Sequence, residues 1–182
     1  MIKRSKNIFL SFFILLFAIM MIIFLFSLTS TYKEKYRFPE KLNDYSLYKK
    51  NFLTFSNLKI LELDISSRSL KFMLMLYYSD LKDLVDNFNF LKEMALNNSI
   101  FKSTKYIIDT NISIEIFFVQ PSGGTAKLLI ESFCIYRNYG IRIIHATNSL
   151  NLNDIRFLVS KIVEINKIII EAIDDGKIRI YD

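Results

Sequence analysis

Residues 112–119 read ISIEIFFV, residues 127–136 KLLIESFCIY and residues 141–147 IRIIHAT. Each run is short, rich in β-branched and aromatic residues, and bounded by turn formers, which is the signature of a strand. Gln120 to Ala126 and Arg137 to Gly140 are the connecting loops, so the three strands form an antiparallel meander. Leu128, Ile130, Ile141 and Ile143 share one side of it, the side expected to be covered by helices.

The pattern extends in both directions. Leu58 to Ile65 alternates, Ser66 to Ser69 turns, and Leu70 to Tyr78 returns, a hairpin. Ser79 or Asp80 then caps a helix to about Leu96, with Leu81, Leu84, Val85, Phe88, Leu91, Met94 and Ala95 at helical spacing. After the meander, a second helix starts near Asn153. Ile155, Leu158, Ile162, Ile165, Ile169 and Ala172 keep one face apolar, and Gly176 is the expected cap. Lys177 to Tyr181 is a short last strand; the alternative is a hairpin of 168–173 with 178–181 across Asp175-Gly176. The order predicts an α+β domain: a small antiparallel sheet with two helices packed on one face.

Upstream, residues 8–28 read IFLSFFILLFAIMMIIFLFSL, without a charge. As a helix rising 1.5 Å per residue, this run spans about 30 Å, the hydrocarbon thickness of a bilayer. It exceeds the apolar core of a cleaved signal peptide, and the residues after it, Thr29 to Tyr32, offer no Ala-x-Ala site. The reading is a retained signal-anchor. Lys3, Arg4 and Lys6 in the preceding tail favour a cytoplasmic N-terminus, because short basic tails resist translocation while long domains do not. The expected organisation is a cytoplasmic tail (1–7), a transmembrane helix (8–28), a basic juxtamembrane segment (29–57) and an extracytoplasmic α+β domain (58–182). In the juxtamembrane segment, Pro39 is suited to open a helix that places Leu42, Tyr45, Lys49 and Phe52 on one side.

Charge narrows the function classes. The net charge of +6 divides into +3 over residues 1–30, six basic against three acidic residues over 31–57, and 15 against 15 over 58–182. With the excess beside the membrane, nucleic acid is not an expected partner. The lipid bilayer and other membrane or envelope proteins are. One Cys and one His exclude an intramolecular disulfide and fall short of a zinc ligand set; no metal or cofactor is expected. Residues 121–127, PSGGTAK, are the only Gly-rich loop, but a phosphate loop must lead into a helix N-terminus, and this one joins two strands.

Four residues are candidates for catalysis. If Val119 pairs with Lys127, Glu115 faces Glu131, and two facing carboxylates can split their pKa values into an acid and a base. Like charges opposed across strands are destabilising, so separate, solvated or cation-paired acids are the plainer reading. If Tyr136 pairs with Ile141, Ser132 faces His145 beside Cys134, and a Ser–His dyad is conceivable. No acid is placed to orient the imidazole, and the same face carries the core residues. The expectation is therefore a non-catalytic, membrane-anchored interaction or structural domain of the cell envelope. The alternatives are a tethered carboxylate-dependent enzyme and a lipid- or small-ligand-binding domain.

Overall fold

The computed structural model describes residues 35–68, 70–109, 112–121 and 125–181. The tail and the apolar run 8–28 lie outside the described residues. Among the described residues, no helix is long and apolar enough to cross a membrane.

Residues 36–180 form one compact unit. Its strands are β1 (Tyr36–Arg37), β2 (Lys41–Leu42), β3 (Tyr45–Phe55), β4 (Leu58–Ser67), β5 (Leu70–Tyr78), β6 (Ser99–Asp109), β7 (Ile112–Val119), β8 (Leu128–Tyr136), β9 (Tyr139–Thr147) and β10 (Arg179–Ile180); its helices are α1 (Leu81–Asn97) and α2 (Leu152–Asp174). Eight strands make one antiparallel sheet in the order β2-β3-β4-β5-β9-β8-β7-β6, and β1 pairs with β10. The domain is thus α+β, an antiparallel sheet with two helices.

The helices do not share a face. Successive side chains of a strand point to opposite sides. On β8, Asn166 of α2 donates to Ser132, while the ring of Phe88 on α1 meets the neighbouring Phe133 edge-on at 5.7 Å. The two helices therefore sandwich the sheet. The reason is visible in the strands: Ile114, Ile116, Leu128, Ile130 and Cys134 pack toward α2, and Phe117, Val119 and Phe133 pack toward α1. A strand apolar on both sides requires cover on both.

Each helix is set by its ends and its stripe. The Asp80 carboxylate accepts from the Asp83 N–H, and at the other end Asn98 and Ser99 donate to the carbonyls of Met94 and Ala95, satisfying groups that a helix leaves unpaired. Leu84, Phe88 and Ala95 are buried beneath α1. On α2, Asn151 caps the start, and Gly176, at φ +65°, lets Lys177 and Ile178 both return to the Ala172 carbonyl. Ile155, Leu158, Ile162, Ile165 and Ile169 are all buried along α2. Each such side chain contributes about 1.5–3 kcal/mol of gross transfer energy.

A further expectation fails. No helix opens at Pro39: residues 45–55 are strand β3, which pairs with β4 through the two-residue turn Ser56-Asn57. Tyr45 and Leu47 are buried, and the Tyr45 hydroxyl donates to Glu164 of α2 at 3.1 Å. The segment read as juxtamembrane therefore belongs to the domain, which begins at Tyr36 rather than at residue 58. Arg37, Lys41, Lys49 and Lys50 come with it, so the basic excess lies partly on the fold itself. Between the first helix and the meander, residues 99–109 add a further strand, β6. As an edge strand it is exposed along most of its length, and its pairing with β7 shifts register three times, which removes the alternation a sequence would show.

Candidate functional site

The meander's registers decide the fate of the four candidate residues. Tyr136 pairs with Tyr139 across Arg137-Asn138, two residues tighter than a Tyr136–Ile141 pairing, and Val119 pairs with Leu129. Glu115 then lies opposite Phe133, and Glu131 opposite Phe117. Ser132 lies opposite Ile143, and His145 opposite Ile130. Neither the facing carboxylates nor the Ser–His pair forms.

Each carboxylate instead holds a cation. Glu115 accepts from Lys92 of α1 at 3.0 Å, at a half-exposed position. Glu131 is buried at the edge of α1, where its Oε2 accepts from Arg142 Nη2 at 2.7 Å and Nε at 3.2 Å. Arg142 stacks over the Phe133 ring at 5.4 Å, and Met75 Sδ lies beside both its Nη1 and the Tyr77 hydroxyl. Burial alone would lower the Arg142 pKa, but Glu131 and Tyr77 together more than offset it, and the guanidinium is raised above its ordinary value. Burial pushes the Tyr77 hydroxyl up, with Arg142 acting in the opposite direction. The cluster is a charge-satisfied ion pair under α1, in which Arg142 occupies the carboxylate that an acid–base step would need.

On the α2 side, Ser132 and Asn166 are both fully buried. Asn166 Nδ2 donates to Ser132 Oγ at 3.2 Å and to the Ile162 carbonyl at 2.9 Å, while its Oδ1 has no partner. Ser132 is thus a structural hydroxyl beneath a helix, out of reach of a substrate. His145 stands at the end of the same face, its Nδ1 2.8 Å from the Lys71 carbonyl and its ring 4.9 Å from that of Phe72. A carbonyl partner makes Nδ1 the protonated nitrogen.

Cys134 is buried, and burial raises its thiol from 9.0 to about 12, with Lys92 acting weakly the other way. A thiol that stays protonated is a core residue, not a nucleophile. It has a measurable consequence. The folded pKa is raised, so the stabilising contribution is complete below 9.0 and is lost as pH rises toward about 12. Urea unfolding followed from neutral to strongly alkaline pH is expected to show stability falling above about pH 9, and Cys134→Ala is expected to reduce that slope although it lowers stability at neutral pH. Equal slopes for the two proteins would contradict the buried thiol.

Two grooves flank α1. One of about 450 Å³ is lined by Leu81, Val85, Phe133 and Ile135, with the Lys92–Glu115 pair. The other, about 160 Å³, exposes one side of the Glu131–Arg142 pair beside Leu91 and Met94. Among the described residues, no group of three His, Cys, Asp or Glu side chains is arranged to hold a metal ion. The Gly-rich loop 121–127, of which 122–124 lie outside the described residues, runs from β7 to its neighbour β8 and opens no helix. In comparisons with known proteins, no family model, no curated protein and no solved structure matches the chain, so a functional reading rests on the molecule's own chemistry.

Proposed function

We propose that this is a single-pass, membrane-anchored protein whose domain acts as a non-catalytic interaction or structural module at the cell envelope. The observation that carries the reading is the uncharged 21-residue run 8–28, of which 16 residues are Ile, Leu or Phe. At about −0.3 to −0.6 kcal/mol for each of these, transfer into a bilayer is favourable by several kcal/mol. The candidate groups for chemistry support the second half: Glu115 and Glu131 are neutralised by Lys92 and Arg142, and Ser132 is sealed under α2. Carboxylate catalysis is the weaker reading for that reason. Orientation follows from Lys3, Arg4 and Lys6, which hold the short tail in the cytoplasm and leave the domain outside. Other membrane or envelope proteins are the partners we propose.

One fractionation experiment tests both parts. The protein is expected to resist carbonate extraction with its N-terminus intact, and protease added to spheroplasts is expected to digest the domain. A mature chain beginning near Ser30 would show a cleaved signal peptide, and protection of the domain until the membrane is breached would reverse the orientation.

A further inference from the structure

The place where the chain enters the domain is a basic corner. Tyr36 and Arg37 pair with Ile180 and Arg179, which sets Arg37 directly opposite Arg179. Ile180 is buried and both arginines are exposed, so the two guanidinium groups project to the same solvent side. Like charges so opposed are destabilising in water alone. The Arg179 side chain lies over Gly176, where a Cβ would come within 2.5 Å of its Nη2. Lys49 extends from β3 with its Nζ 4.6 Å from the centre of the Tyr36 ring, and Lys50 follows at the bulge in that strand. Among the described residues, Arg37, Lys50 and Arg179 form no ion pair. Beneath the cations is an aromatic cluster: Tyr36 stacks on Phe38 at 6.1 Å and meets Phe52 at 4.9 Å, each ring half-buried. Cations outermost with aromatic rings behind them is the layering of a membrane interface, where headgroup phosphates take the charges and amphipathic rings sit at headgroup depth.

Chain length brings this corner to the bilayer. Seven residues, 29–35, separate the apolar run from Tyr36. Fully extended, at about 3.3–3.6 Å per residue, they reach roughly 25 Å, so the corner cannot stand further than that from the headgroups. We propose that the face formed by Arg37, Lys49, Lys50 and Arg179 docks on anionic lipid headgroups of the bilayer that holds the anchor. The inference rests on the anchor reading and adds a fixed attitude: β1, β10 and β3 against the membrane, the N-terminal half of α2 directed away.

The test uses the full chain in nanodiscs of phosphatidylcholine alone or with added phosphatidylglycerol. A bimane fluorophore is attached at Asn51→Cys, beside the corner, or at Ser160→Cys on α2, and lipid-borne nitroxide is the quencher; buried Cys134 is left in place. Phosphatidylglycerol is expected to increase quenching at position 51 and leave position 160 unchanged. Replacing all four cations with Gln is expected to bring position 51 down to the level of position 160, whereas the charge-preserving R37K/R179K protein keeps its response. Equal quenching at 51 in both lipid mixtures, with the chain still co-eluting with the disc, would overturn the docking and leave the anchor intact. No rise in quenching with phosphatidylglycerol, together with a change in bimane emission on adding inorganic phosphate but not chloride of equal ionic strength, would make the corner a site for free phosphate and equally overturn it. A chain that never enters the disc would refute the anchor, and the docking with it.

Discussion

Glu131→Gln is expected to destabilise the domain by about 3–5 kcal/mol, because it leaves the Arg142 charge buried with no counter-ion. The Glu131 and Arg142 side chains are only 8% and 18% exposed, so water reaches the pair only from the narrow groove beside α1. The remaining neighbours of the guanidinium are the Tyr77 hydroxyl, the Met75 sulfur and the Phe133 ring, and none of them supplies a counter-charge. The converse experiment separates the worth of the pair from the cost of breaking it. Replacing both residues with Leu and Met of similar volume is expected to be near neutral or stabilising, since a paired burial gains little over a well-packed apolar one. Urea unfolding of residues 36–182, followed by circular dichroism, measures both. A Glu131→Gln protein within about 0.5 kcal/mol of wild type would show that the groove beside α1 solvates Arg142, since changes that small are typical of surface sites. It would also reopen Glu131 to chemistry, because a carboxylate that is not needed for stability is free to be used otherwise.

Much of this architecture was legible in the sequence, and the failures have physical causes. The β4–β5 hairpin, both helices and the meander strands announce themselves by period and caps. The registers do not. A two-residue slip between antiparallel strands keeps every side chain on its face, so alternation cannot distinguish Ser132 opposite His145 from Ser132 opposite Ile143. The turn decides, and here the turn is Arg137-Asn138 with Arg137 at φ 52°, a left-handed position marked by no glycine. Arg68 and Asn43 occupy comparable turns at φ 51° and 52°. The placement of the helices was legible but misread: Phe117, Val119, Leu129, Phe133 and Ile135 form a second apolar side on β7 and β8, and that side needed its own helix. The Glu131–Arg142 pair was beyond reach without the register, since the two residues are 11 positions apart on different strands. So was the basic corner, because β10 brings Arg179 to Arg37 from the far end of the chain.

Gly140 carries the other large expected effect. In the sequence it closes a loop; in the structure it lies within β9, paired with Tyr77 and Ile135. A Cβ there would come within 2.5 Å of Phe88 Cε2 and Cζ and 3.3 Å of Tyr77 Cβ. The ring cannot retreat, because Phe88 is fully buried and held edge-on between Tyr77 at 5.2 Å and Phe133 at 5.7 Å. Gly140 is therefore the socket that lets α1 press against the sheet. Gly140→Ala is expected to cost about 1–3 kcal/mol through overpacking. Phe88→Ala is expected to cost about 3–5 kcal/mol through the cavity it opens under α1. The decisive measurement is the double mutant. With the ring gone, the added methyl has room, and alanine is preferred over glycine in a strand interior by about 0.5–1 kcal/mol. Gly140→Ala should then change sign, from destabilising in the wild type to neutral or stabilising in the Phe88→Ala background, a coupling that additive sites cannot give. If Gly140→Ala costs the same in both backgrounds, the contact between helix and strand is not what fixes glycine at this position, and the seating of α1 on β9 must be redrawn.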